Sequence, residues 1–169
     1  MAGCRSRSGW LVLAAAAAVL AGCHEQDDAP AGPGESNAPL PPLPIWSRSL
    51  IGKKLTEFPS SNQCVGAFDL VRTRHTAASP GVDVEGWAWL KSEKQAPEHI
   101  LFVGPDNSVV GAGETTIDRP DVPKAVPEVT ISKVGWHGVI PATSGQMRAF
   151  AALPDGAICA LGAKNIGGG

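Results

Sequence analysis

From residue 82 to residue 91 the chain alternates strictly. Val82, Val84, Gly86, Ala88 and Leu90 take one set of positions; Asp83, Glu85, Trp87, Trp89 and Lys91 take the other. A period of two places the two sets on opposite faces of a strand. Similar short runs recur, and the pattern predicts strands over 64–73, 82–90, 99–104, 108–117, 129–134, 138–142, 147–153 and 157–161. Turn chemistry separates them: Ser79-Pro80-Gly81, Gly104-Pro105-Asp106-Asn107 and Pro154-Asp155-Gly156 supply Pro to pre-set φ or Gly and Asn to accept positive φ. The second and third lie between adjacent strands and predict hairpins. Seven to eight short strands at this spacing predict an all-β domain over 62–163, an antiparallel β-sandwich of immunoglobulin-like or jelly-roll-like type. A small barrel is the alternative. Gly111 and Gly113 inside one strand predict a bulge. Asp118 to Pro127 interrupts the β pattern and predicts a cross-over loop between sheets, with a helical turn at 123–126.

Before the β pattern the text is different. Ile45, Trp46, Leu50, Ile51, Leu55 and Phe58 give residues 45–61 the spacing of a short amphipathic helix or an irregular lead-in. Residues 24–44 hold six prolines, Gly32 and Gly34, acidic residues and almost no large apolar side chains. Such a segment cannot bury enough surface to offset its ordering entropy, so 23–44 reads as a tether. It stiffens toward polyproline II at 39–44. Residues 164–169 read as a flexible tail. Residues 10–21 form an uninterrupted apolar run of twelve, preceded by Arg5 and Arg7. That run is shorter than the ~20 residues a membrane-spanning helix requires. It has the charged-then-apolar layout of a secretory signal peptide over 1–22.

Composition narrows the function classes. Two of the fourteen basic residues, and none of the sixteen acidic ones, precede residue 23, which leaves the exported part at a formal charge of about −4. Nucleic acid as a partner is excluded on that balance, because it requires a basic patch. Of four cysteines, Cys4 leaves with the signal and Cys64 and Cys159 lie in the first and last strong strands. In an oxidising compartment they read as a disulfide closing a loop of about 95 residues; two separate buried thiols or a metal pair are the alternatives. Catalytic signatures do not appear: there is no Gly-x-Ser-x-Gly, no Ser-x-x-Lys and no Cys-x-x-Cys. His75, His99 and His137 have no metal-binding spacing, so neither a metal nor a cofactor is expected.

Tryptophan is the stronger signal, for the exported part has no Tyr but keeps Trp46, Trp87, Trp89 and Trp136. Trp87 and Trp89 share a strand face with Asp83 and Glu85, and flat indoles beside hydrogen-bonding groups suit sugar rings. Trp87, Trp89 and Trp136 are therefore the binding candidates. The competing reading has them filling a core. Branched Val82 and Val84 favour burying the opposite face, in which case a segment such as 45–58 would have to cover the indoles.

Leu20-Ala21-Gly22-Cys23 at the end of the apolar run resembles the lipobox of bacterial lipoproteins. The resemblance implies diacylation of the Cys23 thiol, cleavage before Cys23, and an acylated N-terminus on a chain of 147 residues. Two or more acyl chains anchor a protein stably. His24, where sorting to the inner membrane would use Asp, implies the outer membrane, with the domain facing the periplasm. Gly86-Trp87-Ala88, Arg119-Pro120-Asp121-Val122, Gly135-Trp136-His137-Gly138 and Arg148-Ala149-Phe150-Ala151 together resemble small β-sandwich modules of bacterial envelope proteins. That likeness implies a fold and carries no catalytic residue. Arg119 and Asp121 are expected to form a structural ion pair. The expectation is a lipid-anchored envelope module that binds carbohydrate, or docks a protein partner in an envelope complex, without catalysis of its own. An enzyme with a loop-assembled site acting on envelope polymer is the remaining class. Cys23→Ala should abolish acylation, because lipid transfer needs the thiol itself. Mass spectrometry of the membrane fraction checks this, and an acylated mutant would refute the lipoprotein assignment.

Overall fold

The computed structural model describes residues 33–167. The signal segment 1–22, Cys23 and the tether to residue 32 lie outside the described residues. The β pattern is realised as nine strands: β1 (Gly34–Ser36), β2 (Ser60–Ser61), β3 (Cys64–His75), β4 (Gly81–Leu90), β5 (His99–Val103), β6 (Val109–Ile117), β7 (Gly135–Ile140), β8 (Gln146–Ala152) and β9 (Ile158–Asn165). The all-β class holds, but the strands do not divide into two facing sheets. They form one continuous sheet in the order β1-β3-β4-β7-β6-β5-β8-β9-β2. All central pairings are antiparallel, and only the short β1 and β2 pair in parallel, with β3 and β9.

The sheet curls until β3 and β9 stand side by side, and side chains stitch the seam. Cys64 and Cys159 are disulfide-bonded with Cα atoms 6.1 Å apart. A methyl group at Gly66 would collide with Leu161, so glycine permits the close approach there. Farther along, Lys164 Nζ donates to the Asp69 carbonyl and Arg74 donates to the Ile166 carbonyl. Asp69 sits at an irregularity in β3 between Phe68 and Leu70, which turns it out of the regular ladder.

Inside the curl lies the main core: Val82, Val84, Ala88, Leu90, Ile100, Phe102, Trp136, Ile140, Met147 and their neighbours. The aliphatic face of β4 is thus the inner face. Trp136 lies across Gly86 and Phe102 across Gly138, positions where any Cβ would strike the ring. Phe68, Phe102 and Trp136 form a triangle with ring centroids 5.5–5.9 Å apart, within the range of favourable aromatic pairing.

The outer face is also covered, by two irregular segments. Residues 45–58 form two 3₁₀ turns, Ile45–Ser49 and Leu55–Glu57, in place of one amphipathic helix. Trp46, Leu50, Leu55 and Phe58 pack on Leu101, Val103, Val109, Phe150 and Ile158. Lys54 fixes this segment to the β5–β6 hairpin through Asp106, 3.2 Å away. Bonds from Ser108, then Lys54, hold the Asp106 carboxyl down at about 2. Residues 118–134, containing the helical turn α1 (Val122–Ala125), cover the outer face of β4 with Val122, Val129 and Val134.

Several expectations are corrected. Residues 129–134 are not a strand but the return of the β6–β7 connection, anchored by buried Val129 and Val134 with Ile131 exposed between them; it joins neighbours within one sheet and does not cross between two. The strand predicted at 138–142 starts earlier and is β7. The β5–β6 register does break beside Gly111, between the Phe102–Gly111 and Val103–Val109 pairs, whereas Gly113 pairs regularly with Ile100; both glycines allow close approach to β7. The tether ends before residue 34, because Gly34–Ser36 pairs with Thr73–His75. Residues 164 and 165 belong to β9 and Ile166 is fully buried, so the tail assigned from 164 starts too early. The two hairpins stand where the turn residues put them, with Asn107 and Gly156 at positive φ. Replacing both Cys64 and Cys159 by Ser should lower stability by about 2–5 kcal/mol in urea denaturation of the oxidised protein, since the bridge closes a long loop. An unchanged midpoint would show that the seam holds without it.

Candidate functional site

The three candidate tryptophans are not equivalent. Trp136 points inward and is fully buried; among the described residues its Nε1 has no hydrogen-bond partner, and Phe68 meets its ring edge-on. Trp89 points outward but is only 1% exposed beneath Val122, Val129 and Val134. The cover is residues 118–134, not the 45–58 segment. Trp87 is half-buried at the margin of the same cluster, beside Val65. A continuous indole platform therefore does not form: two of the three rings offer no face to a ligand.

Arg119 and Asp121 are paired, and the pair is part of a larger junction. Arg119 binds the Asp121 carboxylate through Nε at 3.0 Å and Nη2 at 2.7 Å, and reaches Asp69 of β3 through Nη1 at 2.6 Å. Its backbone N–H donates to the Ser132 carbonyl. Arg119 thus ties the start of the 118–134 segment to the seam strand through its guanidinium and to the end of the same segment through its backbone. These contacts, the bond to Asp121 first, raise the guanidinium pKa, and the same bond holds the Asp121 carboxyl below its ordinary range.

A cleft of about 560 Å³ opens at the disulfide end of the curl, a size typical of small-ligand sites. It lies between residues 95–99, which bridge β4 to β5, and the 152–154 stretch entering the β8–β9 turn. Local bonds fix the bridge: Leu90 N donates to the Gln95 carbonyl, Thr115 N to the Glu98 carbonyl, and the Thr115 hydroxyl to the Pro97 carbonyl. Ala96 and Leu153 supply apolar surface above the buried Leu90, while Gln95, Glu98 and His99 supply polar groups. Trp46 stacks on His99 with ring centroids 3.9 Å apart and donates from Nε1 to Glu114 at 2.8 Å. The imidazole is thereby held in one orientation at the cleft wall. Sequence reasoning passed over Gln95, Glu98 and the role of Trp46. The only signal was the polar stretch between two strands, since the Trp46–His99 stack joins residues 53 positions apart.

Comparison with protein-family models, with curated proteins and with solved structures returns no match.

Trp89→Ala should cost about 3–5 kcal/mol in denaturant unfolding, the range for emptying a buried aromatic site. Trp87→Ala should cost clearly less, because part of its ring is already in water. Equal losses at the two positions would contradict the burial difference between them.

Proposed function

We propose that this protein is a lipid-anchored envelope module that acts by binding, without chemistry of its own, and that its ligand seat is the cleft at the disulfide end of the curl. The observation that carries this reading is the cleft itself, a concavity of about 560 Å³ whose wall combines polar and apolar residues. The ligand class follows from its lining. Glu98 and Gln95 offer acceptors, His99 offers a ring nitrogen, and no Lys or Arg lines the cleft. Anionic ligands are disfavoured; neutral or amine-bearing carbohydrate fits, with apolar ring faces against Ala96 and Leu153. The lipobox-like Leu20-Ala21-Gly22-Cys23 supports attachment by lipid, and His24 after it supports the outer membrane, with the domain in the periplasm.

Isothermal titration of the purified protein with neutral, amine-bearing and acidic oligosaccharides tests the reading. Binding of the first two is expected, and Glu98→Gln should weaken the amine-bearing one by about tenfold or more, the usual loss for a charge-assisted hydrogen bond. Trp87→Ala should leave the affinity unchanged. Preference for the acidic sugars, or no effect of Glu98→Gln on any ligand bound, would overturn the assignment of the cleft.

A further inference from the structure

We propose that His75 and Asp83 form a protonation-dependent clasp that holds residues 34–44 against the sheet and releases them as pH rises. The segment runs from β1 toward the 45–58 cover. His75, at the end of β3, is buried beneath it. Its Nδ1 lies 3.0 Å from the Ala38 carbonyl of the segment, and its Nε2 lies 2.9 Å from Oδ2 of Asp83 on β4. A carbonyl oxygen only accepts, so Nδ1 must carry a proton; an ionised carboxylate only accepts, so Nε2 must carry one too. Both bonds exist together only for the imidazolium. A neutral ring has to give up one of them, and the charge-assisted bond to Asp83 is roughly twice as strong as a neutral one.

The neighbouring charges leave this arrangement intact. On β7, His137 Nε2 stands 3.8 Å from Oδ1 of Asp83, an oxygen that is buried without a hydrogen-bond partner. On β3, Arg72 is paired with Glu85 of β4, and Arg74 is turned away to the Ile166 carbonyl. On β1, Glu35 stands opposite Arg74 in the parallel register. The bond to Asp83 first, then the bond to Ala38, raises the His75 pKa above its ordinary value. A group raised in the clasped form contributes its holding energy fully below its unclasped pKa and loses it as pH climbs through the clasped pKa. Closure therefore belongs to the acidic side and release to the alkaline side.

The other contacts on the segment are local. Beyond the three-residue β1 pairing, Thr76 N donates to the Ser36 carbonyl and the Thr76 hydroxyl lies within reach of Asn37. Leu40 N donates to the Ser79 carbonyl, the Leu40 side chain lies over Gly81, and Pro41, Pro42 and Pro44 border a shallow groove with Gly113 and His137. Most of residues 33–44 is exposed. Such a stretch opens locally with little free energy, whereas 45–58 stays fixed by partly buried Trp46, Leu50, Leu55 and Phe58 packed on the β5, β6, β8 and β9 side chains. Opening would free about twelve residues, roughly 35 Å of extended chain at ~3 Å each. If Cys23 is lipidated, that length is added to the distance between domain and membrane.

Amide hydrogen exchange of the full-length protein from about pH 5.5 to about 8.5, which brackets the ordinary imidazole range, tests the clasp. After correction for intrinsic exchange rates, the protection of residues 34–40 should fall about tenfold or more across this range while that of β7 and β8 holds steady, as linkage to one proton allows. His75→Gln should give a low, pH-independent protection in 34–40, and His137→Gln should keep the native pH step. Constant protection in the native protein overturns the proposal without recourse to any variant. A pH step that survives in His75→Gln, or disappears in His137→Gln, overturns it equally.

Discussion

A sheet that curls on itself must hold its two ends together without a complete ladder between them, and the rest of this domain depends on that seam. Between β3 and β9 the work is done by one covalent bridge, Cys64–Cys159, and by side chains that reach across to backbone carbonyls. If the seam opened, the interior face would flatten and the aromatic triangle of Phe68, Phe102 and Trp136 would lose its shared enclosure. The irregularity at Asp69 makes the seam possible. It turns one carboxylate outward to Arg119 while the carbonyl of the same residue accepts from Lys164.

The seam also organises the outer surface. Arg119 links β3 to the 118–134 segment, and that segment seals Trp89. On the far side the 45–58 segment seals the outer faces of Leu101 and Val103, so β5 is buried on both faces. This explains why Ile100-Leu101-Phe102-Val103 reads as a continuous apolar run while β4 alternates, since a strand covered on both sides has no polar face to display. The ends of the curl are left free of these covers. One end carries the cleft and the other carries His75, so the proposed binding seat and the proposed clasp lie at opposite ends of the same strands.

The legibility of the chain in its sequence was uneven for physical reasons. Strand positions and hairpins could be read because side-chain alternation and turn backbone angles are local properties. β4 and the turns at Asn107 and Gly156 appear where local chemistry puts them. Residues 129–134 misled, because apolar residues that cover a sheet from outside look the same in composition as residues within a strand. The tether boundary misled for the opposite reason. Residues 34–44 are poor in apolar groups, yet they are held by backbone pairing and by a single histidine contributed from β3.

Local chemistry by itself determined the all-β class, the two-faced alternation of β4, and the availability of one cysteine pair. The likeness of Leu20-Ala21-Gly22-Cys23 to a lipobox is equally a property of adjacent residues. Only the tertiary structure decided that the strands make one curled sheet and not two. It also decided that Trp136 is interior, that Trp89 is sealed beneath an outer cover, and that Gln95, Glu98 and His99 meet at a cleft. The reason is that each of these rests on contacts between distant segments: which loop lies over which face, and which sheet edge meets which. Periodicity says which side of a strand is apolar. It does not say what will come to cover it.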